Sequence, residues 1–179
     1  DANGNMVLRV EVSGTATITY EQAFDVENRL TAVTATQGVS VSVTRFGYDA
    51  DGARVVMERP GGGWTIYAGE LLEEDRDAGG GLVGRRSYYY HGSRRVALRH
   101  SAGAVTFIHG DHLGSTSVTT GRHGGSPVRQ WYEPYGEVRW STGGLPTDYG
   151  FTGQRWDDSI RLIQMGARWY DARIGRWIS

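Results

Sequence analysis

The residues with the clearest capacity for chemistry are two histidines and an aspartate in the segment HGDH, namely His109, Asp111 and His112. Imidazole and carboxylate groups at this spacing are potential ligands for a transition metal. A zinc hydrolase with this run needs a further histidine two residues earlier, where this chain has Phe107, and the chain has no cysteine to complete a site. We therefore predict that Asp111 caps a turn, that His112 is oriented by this turn, and that the chain binds no metal and no other cofactor.

Other residue patterns that are typical of enzymes are missing from the sequence. No serine lies in the GxSxG pattern of a nucleophile elbow. All 19 residues counted as lysine or arginine are arginine, which excludes a Walker-type phosphate loop and a Schiff-base lysine. The adjacent carboxylates Glu73 and Glu74 would face opposite sides of a strand, which does not suit joint acid and base catalysis. We expect no enzymatic activity, and the sequence identifies no ligand-binding residue.

The elements that position these residues are predicted to be strands. The chain has 27 glycines, 6 tryptophans, 10 tyrosines and 4 phenylalanines, a mixture that favours many turns between aromatic-rich strands. No segment approaches the roughly 20 apolar residues of a membrane span. The net charge of -1 lacks the basic character of a protein that binds nucleic acid. We predict an all-β fold of antiparallel hairpins, with no nucleic-acid partner and no membrane span.

Alternation of apolar and polar residues is clearest near the amino terminus. Leu8, Val10 and Val12 fall on one side of a predicted strand. Arg9 and Glu11 fall on the other side. A period of two residues is typical of a strand with one buried face.

One short unit recurs along the chain, in which an aromatic residue is followed by aspartate and a tight turn. Aspartate at the first turn position can accept hydrogen bonds from amides two and three residues later, and glycine or asparagine at the fourth position tolerates the left-handed conformation. We expect successive aromatic rings to stack across neighbouring strands as a ladder. The predicted turn and ladder residues are Phe24, Asp25 and Asn28, then Tyr48, Asp49 and Gly52, and finally Tyr170, Asp171 and Gly175.

The charged and glycine-rich segment at residues 73–86 interrupts this pattern. We interpret it as a mobile loop between two strands. Residues 1–87 are predicted to form hairpins of the repeat, and residues 88–179 a second segment that continues the same sheet.

The repeat units and several longer strings closely resemble the RHS/YD-repeat family and its RHS repeat-associated core domain. The first half of the chain resembles ordinary YD repeats, and residues 88–179 resemble the core segment. The strings that carry the resemblance are HGDHLGST at 109–116, YEPYGEVRW at 132–140, FTGQR at 151–155 and GARWYDARIGRWIS at 166–179.

The resemblance implies a long strip of β-hairpins that winds into a hollow shell. Such shells occur in bacterial polymorphic toxins, insecticidal toxin complexes and related surface proteins, where they enclose a C-terminal toxin. The resemblance therefore implies a secreted or cell-surface location. The family's self-cleaving aspartyl protease motif and its variable toxin domain follow the matching residues, so neither activity is carried over to this chain.

Three hypotheses for the function follow. The first is a structural, non-catalytic shell segment, whose partners are the rest of the same shell and an enclosed toxin. The second is a subunit of an extracellular filament or tube, whose copies pair through their sheet edges. The third is a module that binds carbohydrate or another cell-surface group through exposed aromatic rings. The tryptophans considered for this third role are Trp131, Trp140, Trp156, Trp169 and Trp177.

Overall fold

The computed structural model describes all 179 residues and consists almost entirely of antiparallel strands. Strands hold 55% of the residues and helix 3%, which confirms the all-β prediction. Neither short helical turn, at Arg122–Gly124 or at Phe151–Gly153, has the length or apolar character to cross a membrane. The strands are β1 Leu8–Ser13, β2 Ala16–Phe24, β3 Leu30–Gln37, β4 Ser40–Tyr48, β5 Arg54–Glu58, β6 Trp64–Ala68, β7 Leu72–Arg76, β8 Leu82–His91, β9 Arg94–His100, β10 Val105–Gly110, β11 Thr116–Thr120, β12 Val128–Tyr132, β13 Val138–Ser141, β14 Arg155–Asp157, β15 Leu162–Met165, β16 Arg168–Asp171 and β17 Arg176–Trp177.

The first 13 strands form one sheet in which every strand pairs with its neighbours in the sequence, from β1 to β13. We call this sheet the strip. Strands β14 to β17 form a separate four-stranded sheet, which we call the small sheet. The prediction of one continuous sheet over residues 88–179 is therefore wrong. The strip ends after β13 because residues 142–148 contain two glycines and Pro146, which has no amide to donate to a ladder.

Residues 73–86 are a hairpin, so the prediction of a mobile loop there is wrong. Strands β7 and β8 pair directly, with Glu73 opposite Arg86 and Glu74 opposite Arg85. Only residues 77–81 form the turn between them. The charges that made the segment look like a loop are matched across the two strands. The predicted boundary between residues 87 and 88 falls inside β8.

Strand β1 has one buried face, but this face is the charged one. Arg9 and Glu11 are 5% and 4% exposed. The Arg9 guanidinium lies 4.2 Å from the centre of the Tyr20 ring and 2.9 Å from a carboxylate oxygen of Asp171. These contacts compensate the burial of charge and turn the apolar residues outward. The outward-facing residues are Leu8, Val10 and Val12.

The main hydrophobic core lies between the first strands of the strip and the C-terminal region that carries the small sheet. A smaller cluster lies further along the strip. The strip contributes Tyr20, Leu30, Val33 and Phe46 to the main core, and the C-terminal region contributes Ile160, Leu162, Trp169 and Ile178. The smaller cluster consists of Tyr88, Leu98, Ile108 and Tyr149. The small sheet therefore covers one face of the strip and leaves the other face exposed.

Candidate functional site

The turn of the repeat unit is held by an aspartate side chain. The Asp25 carboxylate accepts hydrogen bonds from the backbone amides two and four residues later, both at 2.9 Å. Asp49 repeats this pattern at 3.0 and 2.8 Å. The second donor is thus one residue further along than the sequence predicts. At the fourth position, Asn28 and Gly52 have φ angles of 60° and 81°, the left-handed region that the turn requires.

The aromatic residues of the three units do not stack on one another, so they do not form the predicted ladder. Phe24 and Tyr48 pack at the margin of the main core. The Tyr48 hydroxyl donates a hydrogen bond to the Leu30 carbonyl at 2.7 Å. Tyr170 instead packs edge-on against Trp177, with ring centres 5.4 Å apart.

The third unit is part of a buried ion-pair cluster between the strip and the small sheet. Asp171 is fully buried, accepts a hydrogen bond from the Arg173 amide at 2.9 Å and pairs with Arg9 at 2.9 Å. Glu11 of the strip forms ion pairs with Arg161 and Arg173, each at 2.8 Å, and accepts a hydrogen bond from Arg161. Gly175 follows in the left-handed conformation that ends this turn, with φ 64°. The amino-terminal strand and the C-terminal repeat unit are therefore joined by charge.

A second ion-pair cluster surrounds Glu73, which is 1% exposed. Its carboxylate lies 2.7 Å from Arg155 of the small sheet and 2.9 Å from Arg86 of the strip. It also accepts the Tyr88 hydroxyl at 3.0 Å. Burial alone would lower the pKa of Arg155, but the neighbouring Tyr149 and Glu73 outweigh it and raise that pKa. The Arg155 guanidinium consequently stays charged between the sheets.

Arginine and aromatic side chains alternate between these two clusters. The Arg54 guanidinium lies 4.5 Å from the centre of the Tyr67 ring and 5.4 Å from that of Trp169, and Asp157 is 3.6 Å away. Arg155 lies 4.3 Å from the centre of the same Tyr67 ring. A planar guanidinium stacks on aromatic faces, which an ammonium group does less well. This arrangement explains why all the basic side chains that enter the interface are arginine.

The HGDH residues belong to another copy of the repeat turn. The Asp111 carboxylate accepts backbone amides two and four residues later, both at 2.9 Å. His109 shares a 3.0 Å hydrogen bond with the Thr120 hydroxyl, and His112 is exposed. No three His, Cys, Asp or Glu side chains are grouped so that they could hold a metal ion. The three residues are therefore not gathered into one site.

The five tryptophans considered for carbohydrate binding do not share one environment. Trp131 and Trp140 stand opposite each other on β12 and β13, with ring centres 4.7 Å apart, and are 56% and 43% exposed. Trp169 is buried in the main core. Trp156 is half-buried and Trp177 is exposed on the small sheet. Only Trp131 and Trp140 form an exposed pair.

The free edge of β1 offers backbone groups to another strand. The Gln22 amide donates to the Val7 carbonyl at 2.9 Å, so Val7 and Gln22 are a hydrogen-bonded pair of the β1 and β2 ladder. Hydrogen-bonded and non-hydrogen-bonded pairs alternate along antiparallel strands, so every second residue of β1 directs its amide and carbonyl away from β2. The residues concerned are Leu8, Val10 and Val12.

Sequence reasoning missed the charged interface between the two sheets. Its partners, such as Arg9 with Asp171 and Arg155 with Glu73, are far apart in the sequence, and no local pattern connects them. The complete absence of lysine is a signal that could have indicated it, since arginine is preferred for buried ion pairs and for stacking. Most buried charges of the chain therefore pair with each other between the strip and the small sheet. The free backbone groups lie elsewhere, at the edge of β1.

Comparisons with known proteins agree with this architecture. The family model of the teneurin YD-shell matches residues 85–179. No curated protein matches the chain. A solved structure of the Photorhabdus luminescens Tc holotoxin pore, with a mutated TccC3, aligns with 100% of this chain and 9% of its own, at a TM-score of 0.78 and 18% identity. A crystal structure of TcdB2-TccC3 aligns over 89% of this chain and 9% of its own, at a TM-score of 0.75 and 17% identity.

These matches have different weight. At 17 and 18% identity the solved structures establish the fold, and the chain spans 9% of the length of the chains it matches. The family model covers more than half of the chain and includes the HGDH turn, β10 to β13 and the whole small sheet. The chain therefore belongs to the teneurin YD-shell family and is a segment of an RHS/YD-repeat shell.

Proposed function

We propose that the chain is a structural, non-catalytic segment of a bacterial RHS/YD-repeat shell, in which further hairpins complete an enclosure around a C-terminal toxin. The observation that carries this proposal is the order of the strip, in which 13 strands follow one another without a crossover. A sheet built in this way can be extended at either end by the same hairpin unit. Its partners are then the adjacent hairpins of the shell and the enclosed protein.

The two faces of the strip support this proposal. One face is covered by the small sheet and carries the paired charges. The other exposes apolar side chains, including Val10, Val41 and Phe107. The charged groups of the covered face are engaged with each other, as Glu73 is with Arg155, and are not arranged as an acid and base around an open site. This supports a structural role rather than catalysis.

Secretion or display at the cell surface is the location that this role favours. A toxin shell acts outside the cell that makes it, and the resemblance to secreted and surface proteins of the family agrees with this. The chain contains no cysteine, and its fold is held by a hydrophobic core, ion pairs and hydrogen bonds rather than by disulfides.

Negative-stain electron microscopy of the purified chain tests the proposal against the filament hypothesis. A shell segment should give short, irregular assemblies, because its strand edges associate but belong to different neighbours in the complete shell. Long fibres with a regular repeat would contradict the segment role and favour a self-assembling filament.

A second function, carbohydrate binding, is favoured by the exposed pair of Trp131 and Trp140. Two adjacent indole rings on a sheet surface offer apolar faces on which a sugar ring can stack. A glycan array probed with the chain and with a Trp131→Ala variant tests this. Binding that is lost in the variant would support the function, and no binding by the unmodified chain would exclude it for the glycans on the array.

A further inference from the structure

A cavity of about 620 Å³ lies where the turn between β8 and β9 meets the HGDH turn and the helical turn at Phe151–Gly153. Small-molecule sites typically have volumes of about 300 to 1,000 Å³, so the cavity has room for a ligand of sugar size. The proposed shell role does not use this cavity.

Arg95 is the fixed charged group of the cavity. Its side chain is 9% exposed, and its Cζ lies 3.1 Å from the centre of the Tyr149 ring. Its Nε donates to the Tyr90 hydroxyl at 3.0 Å and its Nη1 to the Gly153 carbonyl at 3.2 Å. Its Nη2 donates no hydrogen bond, and the nearest carboxylate oxygen, of Glu70, is 3.9 Å away. The guanidinium is therefore held in place with one donor nitrogen unused.

Four other residues that line the cavity have side chains without hydrogen-bond partners in the protein. They carry one further guanidinium, one imidazole, one hydroxyl and one amide. Glu70 is the only acidic residue of the lining. Its side chain is 72% exposed, and its carboxylate accepts one hydrogen bond, from the Tyr90 hydroxyl at 3.1 Å, which a ligand would have to displace for Glu70 to move away. The four residues are His91, Ser93, Arg94 and Gln154.

We propose that this cavity binds a sugar acid, meaning a small hydroxylated carboxylate. The carboxylate would accept hydrogen bonds from Nη2 of Arg95 and from Arg94, since charge-assisted bonds to a guanidinium are the strongest available there. The hydroxyl groups of the ligand would pair with Ser93 and Gln154, which supply a hydroxyl and an amide. An ion without hydroxyl groups would leave these polar side chains unused.

Isothermal titration calorimetry of the 179-residue chain with glucuronate tests the proposal. We expect saturable binding of glucuronate. Neutral glucose should bind at least about tenfold more weakly, since it lacks the carboxylate and a hydrogen bond to a charged group is worth at least that factor. Inorganic phosphate should also bind more weakly, because it can pair with the guanidinium groups but has no sugar hydroxyls for Ser93 and Gln154. Glu70→Gln should tighten glucuronate binding, because it removes the competing carboxylate. Arg94→Gln should weaken it about tenfold.

The control is Arg139→Gln, which removes the same charge from an exposed arginine on β13, outside the cavity. It should bind glucuronate as the unmodified chain does. Circular dichroism of each variant verifies that the fold is retained, and Arg94 and Glu70 are suitable because both are exposed. No saturable binding of glucuronate, equal binding of glucose, or equal weakening by Arg94→Gln and Arg139→Gln would overturn the proposal. None of these results would bear on the shell role, which depends on the strand edges.

Discussion

The guanidinium of Arg54 lies 4.5 Å from the centre of the Tyr67 ring, and none of its three nitrogens donates a hydrogen bond within the protein. Its side chain is 1% exposed, and the carboxylate of Asp157 is 3.6 Å away. Stacking on aromatic faces and this single ion pair are therefore its main stabilising contacts. Arg54 comes from the strip and Asp157 from the small sheet, so this contact joins the two sheets.

The first prediction concerns Arg54→Lys. A lysine keeps the charge but loses the planar group that stacks on Tyr67, so we expect the free energy of unfolding to fall by about 1 to 3 kcal/mol. Urea denaturation at neutral pH measures this change. The control is Arg45→Lys, on a 56% exposed side chain, which should change stability by less than about 0.5 kcal/mol. Equal denaturation midpoints for the two variants would show that stacking does not stabilise the interface.

The second prediction concerns Glu73→Gln. The change leaves Arg86 and Arg155 without their shared counter-charge in a buried position, which typically costs about 3 to 5 kcal/mol. Thermal and urea denaturation should both show the loss. Glu58→Gln, which affects an exposed pair with Arg45, should cost less than about 1 kcal/mol. If Glu73→Gln left the free energy of unfolding unchanged, the ion pairs of Glu73 would not anchor β7 to the small sheet.

The third prediction compares two glycines. Gly52 has φ 81°, a region in which a side chain costs about 1 to 2 kcal/mol and a β-branched one more, whereas Gly125 has φ -67°. Gly52→Val should therefore destabilise the chain more than Gly125→Val. Chemical denaturation of both variants measures the difference, and an equal loss of stability would refute the role of Gly52 in the turn.

The fourth prediction is a pH dependence that arises from Asp25. Burial opposes its ionisation, but hydrogen bonds from the amides of Arg29 and Glu27 and from the Arg29 side chain outweigh it, so its pKa is lowered. A carboxylate whose pKa is lower in the folded state stabilises the fold above its unfolded-state pKa. This contribution is lost as the pH falls through the folded-state value.

Stability should accordingly decline below about pH 4, and the decline should be smaller in Asp25→Asn, which cannot titrate. Urea midpoints measured from neutral pH to about pH 2.5 test this expectation, since that range spans the titration of aspartate. Parallel curves for the variant and the unmodified chain would show that Asp25 makes no contribution to the pH dependence.

The sequence predicted the strands and the repeat turns because both depend on local chemistry. An alternation of period two defines the strands, and an aspartate three residues before glycine or asparagine, as at Asp25 and Asp49, defines the turns. The turn at Asp77 does not match the full repeat unit. The Asp77 carboxylate accepts hydrogen bonds from the amides of Gly79 and Gly81. Arg76 precedes it instead of an aromatic residue, so the sequence pattern predicts a loop where the structure has a turn of the repeat type.

The interface between the sheets could not be predicted in the same way. Hydropathy places Arg9 and Glu11 on the solvent side of β1, and their burial depends on partners more than 140 residues away, as between Arg9 and Asp171. The separation of the small sheet from the strip likewise depends on packing against distant strands. Tertiary contacts of this kind leave no periodic signal in one sequence.

The central claim is that the chain is a strip whose open β1 edge accepts another strand, and sedimentation velocity tests it most directly. The unmodified chain should associate over the micromolar range, since the net charge of -1 offers little repulsion. Val10→Pro removes an edge amide without removing a bond to β2, so it should shift the chain towards monomer, whereas Val10→Ala keeps the amide and should still associate. A stable, cooperative monomer of the unmodified chain, with no dependence on concentration, would contradict the account.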